Sequence, residues 1–122
     1  MPLRPDFSQH RPDSRMDRYR DRVGRLYRES DEVGLVLVTV EPFRTQVGGR
    51  LWWRRWGPTY DVLWPWYVID GGFSDSVIPQ DATAAELDDY DRGRFGYCGE
   101  VLRVDWLDPE ESARLRVSEF GR

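Results

Sequence analysis

Leu35-Val36-Leu37-Val38-Thr39-Val40 is the stretch on which the fold turns. Four of its six residues branch at Cβ, a shape that packs well on a pleated surface. Its apolar residues do not alternate with polar ones, so neither face can be left to water. The run therefore predicts a central strand of a sheet or barrel, covered on both sides. Ser30, Asp31 and Gly34 supply turn chemistry before it, and Pro42 predicts its end.

Working toward the C-terminus, Gly48-Gly49 predicts a turn before a strand over 50–56. Gly57-Pro58 predicts another before a strand over 60–69, so these two aromatic segments read as the arms of one hairpin. Pro65 has no N–H to give to a ladder. Its strand is expected at an edge, or bulged near Trp64 and Trp66. Asp70-Gly71-Gly72 closes the block, and residues 70–91 then hold seven acids without one base. Thr83-Ala84-Ala85-Glu86 has the capping-box form, which predicts a short helix after Thr83. Leu102, Val104 and Trp106 alternate with Arg103 and Asp105, as in a strand over 100–107. Asp108-Pro109-Glu110-Glu111 gives an N-cap, a first-turn proline and an acid at N3, predicting a final helix to about Val117 or Ser118.

Toward the N-terminus, Met16, Tyr19, Val23, Leu26 and Tyr27 recur at offsets near three, four and seven. That spacing favours an amphipathic helix from Ser14, which Gly24 weakens, and a strand over 23–28 is the competing assignment. Residues 1–13, with Pro2, Pro5 and Pro12 among polar and charged residues, predict a flexible tail ahead of a single domain over 14–122. The expected class is α+β: a mostly antiparallel sheet or small partly closed barrel of about five strands, with a short C-terminal helix and a possible N-terminal one.

The chain has 122 residues, enough for one domain and cramped for two. Leu, Ile, Val and Phe number 29 and six Trp and six Tyr add large apolar area, so a packed core is expected despite 33% charged residues. The net charge of -4 opposes general attraction to phosphate backbones or anionic lipid. All 18 cationic side chains are Arg, with no Lys and no Asn, a bias that a GC-rich bacterial genome explains without a functional demand. Cys98 is the only cysteine and forms no intrachain disulfide, which points to a cytoplasmic, soluble protein. No stretch approaches the ~20 apolar residues of a membrane span, and the N-terminus lacks a signal-peptide core.

The segment with the most chemistry is Arg50-Leu51-Trp52-Trp53-Arg54-Arg55-Trp56, followed by Trp64-Pro65-Trp66-Tyr67. As a strand it mixes indole and guanidinium on each face. One outcome is a core side plus a solvated side of cation–π pairs. The other is an exposed platform formed by Trp52, Arg54, Arg55, Trp56, Trp64 and Trp66, because Trp, Tyr and Arg anchor protein interfaces. The expected partner is then another protein or a second copy of this chain. The same residues could stack single-stranded bases and hold phosphates, a reading the acidic balance disfavours.

Other motifs carry less. Asp89, Asp91 and Glu100 stand at positions 1, 3 and 12 of a calcium-type loop, but Gly93 offers no ligand at position 5, and Arg94 replaces the glycine needed at 6. Cys98 reads as a small buried hydrophobe, since the sole histidine, His10, sits in the expected tail. Without Lys there is no Walker lysine or Schiff base, and one His supports neither a histidine-rich metal site nor a triad. The Gly-Gly pairs lack a phosphate-loop pattern. No cofactor is implied, and a carboxylate-based enzyme, for instance one pairing Asp70 with Asp75, is the remaining alternative to a binding domain.

Overall fold

The computed structural model describes residues 14–50, 53–75 and 84–122. The expected tail with His10, the capping Thr83 and Trp52 lie outside them. The elements in order are α1 (Met16–Tyr19), β1 (Arg22–Arg28), β2 (Asp31–Arg50), β3 (Trp53–Ile69), β4 (Gly72–Asp75), α2 (Ala84–Asp91), β5 (Arg94–Tyr97), β6 (Glu100–Trp106) and α3 (Pro109–Phe120). They form an α+β domain, as the sequence predicts. All pairings in the sheet are antiparallel, and its six strands run in the order β4-β3-β2-β1-β6-β5.

The apolar run in β2 is central and covered on both sides. Val36 and Val38 join Met16, Tyr19, Leu26, Leu63, Leu87, Tyr90, Phe95, Leu102 and Val104 under α1 and α2. Leu37, with Leu35 packed alongside, meets Val23, Leu115 and Phe120 under α3. Period two in a strand sends neighbouring residues to opposite faces, so a continuous apolar run requires a cover on each.

The sheet curls around its α1/α2 face. Between β3 and β5 lie four steps, about 19 Å if the sheet were flat. Yet the Tyr67 ring lies 5.4 Å from that of Tyr97 and 6.0 Å from that of Phe95. Side chains cannot bridge 19 Å at that separation, so the sheet is rolled into a half-barrel. Two-residue turns help. Asp70 and Gly71 both have positive φ, as do Cys98 and Gly99, the backbone that tight antiparallel hairpins of right-handed twist prefer.

Two stretches of β1 and β6 are fastened by the helices. Tyr19 packs 5.4 Å from Tyr90 and 5.0 Å from Trp106, and the Trp106 indole donates to the Tyr90 carbonyl at 2.8 Å. The Tyr19 hydroxyl donates to Asp91, while Arg15 reaches Asp88 at 2.5 Å and Asp91 at 3.2 Å, holding α1 to α2. On the other face the Val23 amide donates to the buried Ser112 hydroxyl at 3.1 Å, and the Leu107 amide to the Val23 carbonyl at 2.9 Å. The capping expectation for α3 holds: Asp108 accepts from the Glu111 amide at 2.8 Å. The helix runs to Phe120, past the expected end, and stops at Gly121, whose φ of 67° is left-handed.

Several expectations are corrected. The segment over 14–28 is both assignments in turn, a single helical turn followed by β1. Pro42 does not end β2, which continues to Arg50. It pairs with Asp61 where no third strand is present among the described residues, so the missing N–H costs no ladder bond on the open side. Gly48-Gly49 and Gly57-Pro58 are not turns. Gly48 and Gly49 pair with Arg55 and Arg54, and register shifts between Arg44 and Gln46 and between Gln46 and Gly48 absorb the irregular residues of both segments. The expected hairpin of 50–56 with 60–69 is therefore one strand, β3, whose partner is β2. Pro65 lies one residue beyond the last described β3–β4 pair, Trp66 with Asp75, which meets the edge requirement. Cys98 is exposed in the β5–β6 turn and is not a core residue. The strands β4 and β5 were not legible, being four residues each.

A Cβ at Gly34 would stand 1.9 Å from the Val68 carbonyl oxygen. Gly34→Ala must push β2 from β3, and a loss of about 3 kcal/mol is expected in urea unfolding. Burial, and then hydrogen bonding to Asp91, raises the Tyr19 pKa above its ordinary value near 10. The folded state holds this proton longer than the unfolded chain. The stabilisation is complete below about pH 10 and is lost as pH rises beyond it, so Tyr19→Phe should flatten the alkaline fall in melting temperature.

Candidate functional site

β2 and β3 outrun their neighbours. β1 covers β2 only as far as the pair Arg22 with Val38, and β4 covers β3 only from Trp66 onward. Beyond these points, 39–50 and 53–64 pair with each other and with no third strand among the described residues. The outcome is a two-stranded ribbon of twelve residues per strand, about 40 Å long at the rise of an antiparallel strand. It continues past the neighbouring strands because β2 and β3 stay paired to each other as far as Arg50 and Trp53.

The predicted site residues divide along this ribbon. Arg54, Arg55 and Trp56 lie on its far half, opposite Gly49, Gly48 and Gln46. Trp64 and Trp66 lie at its base, on the α3 side of the sheet, and both are partly buried. Trp66 packs against the Val23, Leu37, Leu115 and Phe120 cluster. Its indole N–H donates to the Thr39 hydroxyl at 3.0 Å, and the Arg122 guanidinium sits 3.6 Å over its ring. Thr39 in turn donates to the Trp64 carbonyl at 3.2 Å. The structure therefore separates the five described residues of the six: the base tryptophans fasten the ribbon to the body, and Arg54, Arg55 and Trp56 belong to its outer part.

Next to this fastening is an open hollow of about 510 Å³, lined by Asp21, Thr39, Val40, Glu41, Arg116 and Arg122. Arg116 faces Asp21 at 3.3 Å and Arg122 faces Glu41 at 3.6 Å, so cation and anion balance within it. The nitrogens Trp64 Nε1 and Arg116 Nε are buried without a hydrogen-bond partner among the described residues. Sequence reasoning missed this hollow, because its lining comes from the α1–β1 turn, β2 and the end of α3, and no local spacing links them.

Two acids of the calcium-type pattern are engaged elsewhere. Asp91 serves Arg15 and Tyr19, and Glu100 accepts two bonds from Arg28, at 2.6 and 3.0 Å. Two of the three acids in the calcium-type pattern are thus committed to structural partners, and no group of three or more His, Cys, Asp or Glu is placed to hold a metal among the described residues. No helix there is long and apolar enough to cross a membrane. Comparison with known families, with curated proteins and with solved structures returned no match.

The cation–π contact between Arg122 and Trp66 closes the ribbon base over α3. Arg122→Ala is expected to cost about 1 kcal/mol in unfolding free energy. Amide exchange should accelerate at 39–41 and 62–66 more than in β1.

Proposed function

We propose that this protein is a non-enzymatic binding or adaptor domain whose contact element is the β2–β3 ribbon. The observation that supports the reading is the reach of the hairpin beyond every neighbouring strand. Two strands alone are marginal in water, and ordering two dozen residues costs about 1–2 kcal/mol each. Contact with another macromolecule offsets that cost. The outer ribbon also carries the residue types that anchor interfaces, Arg54, Arg55 and Trp56, next in sequence to Trp52. In this reading Trp56 is the apolar anchor and the two arginines are polar clamps, while Trp64 and Trp66 hold the platform in place. A cytoplasmic setting, where the exposed Cys98 thiol stays reduced, accords with it.

A single-stranded nucleic-acid module is the second reading, and one distance favours it. Arg50 is eleven residues from Thr39 along β2, about 37 Å. That is several Debye lengths of about 8 Å, so the acids of the body do not repel a phosphate at the ribbon's far end. A nucleic-acid complex would take up labelled oligothymidylate and weaken steeply with salt, whereas a protein interface would not take up the oligonucleotide.

Glu41 and Val62 are register partners, so replacing 42–61 by Asn-Gly should close a tight hairpin and keep the sheet. The shortened protein is expected to melt cooperatively, and a partner that chemical cross-linking joins to the full chain is expected not to be joined to the shortened one. Trp56→Ala should weaken that purified complex about tenfold or more. Equal affinity of full-length and shortened proteins for the partner would remove the ribbon from the interface.

A further inference from the structure

We infer that the ribbon's partner is a second copy of this chain, in a two-fold dimer in which each ribbon lies along the body of the other. The inference rests on the ribbon being the contact element. Its foundation is the distribution of charge along β2 and β3. Between Glu41 and Asp61 there are four arginines, Arg44, Arg50, Arg54 and Arg55, and no acid; the rest of the chain holds fourteen arginines against 22 acids. The register brings three of the four together, pairing Arg50 with Trp53, Arg54 with Gly49 and Arg55 with Gly48. Two of these three arginines stand opposite positions that have no side chain.

The opposite end of the sheet has the complementary sign. The β1–β2, β3–β4 and β5–β6 turns meet there. The Asp70 amide donates to the Val33 carbonyl at 3.0 Å, and Arg28 lies between Glu100 at 2.6 Å and Asp70 at 3.6 Å. Glu29, Asp31, Glu32 and Asp70 are exposed at this end. Arg25 is held by Glu32 at 3.0 Å.

One molecule cannot bring its own poles together. β2 carries both, from Asp31 at one end to Arg50 at the other, and twenty strand residues span about 65 Å. Neutralisation requires another molecule. Two copies side by side and antiparallel place each cationic ribbon beside the other's acidic turns, and the two identical contacts close under two-fold symmetry, the commonest oligomer geometry. The ribbon is long enough: the body strand that it must pass, from Asp31 to Val38, is about 27 Å, and the ribbon is about 40 Å.

Charge exchange tests this on the full chain. Light scattering after size exclusion should give a dimer mass for the wild type at low salt, with dissociation at least about tenfold easier at high salt. Arg54→Glu/Arg55→Glu and Glu29→Arg/Asp31→Arg should each be monomeric alone. Mixed in equal amounts they should form a one-to-one heterodimer, since the reversed ribbon then meets the reversed pole and the unaltered ribbon meets the unaltered pole. A monomeric wild type, or a dimer that both variants retain, would overturn the inference. If a monomeric wild type binds a labelled oligothymidylate or a purified acidic protein, and Arg54→Glu/Arg55→Glu abolishes that, the second copy is rejected while the ribbon stays the contact element. If no binding of any kind changes on shortening the ribbon, both readings fail.

Discussion

The structure depends on burying both faces of one strand. β2 offers Val36 and Val38 to one side and Leu35 and Leu37 to the other, and no solvent-facing row remains. Fully burying such a side chain contributes about 1.5–3 kcal/mol, so exposing either face would remove a large share of a small domain's stability. The rest of the architecture answers this demand. α1 and α2 close the concave side, α3 closes the convex side, and the sheet rolls until β3 and β5 share aromatic contacts.

The polar groups that attach the covers are local and economical. Ser112 on α3 receives a backbone amide of β1 that would otherwise be buried without an acceptor. Such a bond adds little net energy when made and costs about 1–3 kcal/mol when broken, so it fixes where α3 lies more than how tightly it binds. Arg15, Asp88 and Asp91 do the same for α1 and α2 on the other face. The ion pairs of the surface are individually weak. Their arrangement along the chain matters more, because the sequence of the ribbon over 42–60 contributes cations alone.

The ribbon follows from a mismatch in strand lengths. β2 and β3 have 20 and 17 residues, whereas among the described residues no other strand exceeds seven, so the two long strands leave the sheet together. The prolines Pro42 and Pro65 then fall where a strand has an open side for the missing N–H. Prolines there also oppose edge-to-edge addition of a further strand, which favours contact through the faces of the ribbon.

The amino-acid sequence alone determined the elements whose signal is local: the apolar run of β2, the alternation of β6, the Asp-Gly turn at 70–71 and the Asp108 cap with Pro109 on α3. Each of these is set by residues within a few positions of one another, through side-chain period, backbone φ or a capping oxygen. Gly-Gly and Gly-Pro misled for the same reason. Their conformational freedom is local, but whether it makes a turn or is absorbed by a shifted register depends on the strand opposite, and β2 supplied that strand. The tertiary structure alone decided that 53–69 pairs with 34–50 and that Trp66 belongs to the α3 packing. It also decided that the arginines of the hairpin stand far from the acidic turns. These are relations between residues distant in sequence, fixed by the shared burial of a curled sheet, and no spacing along the chain encodes them.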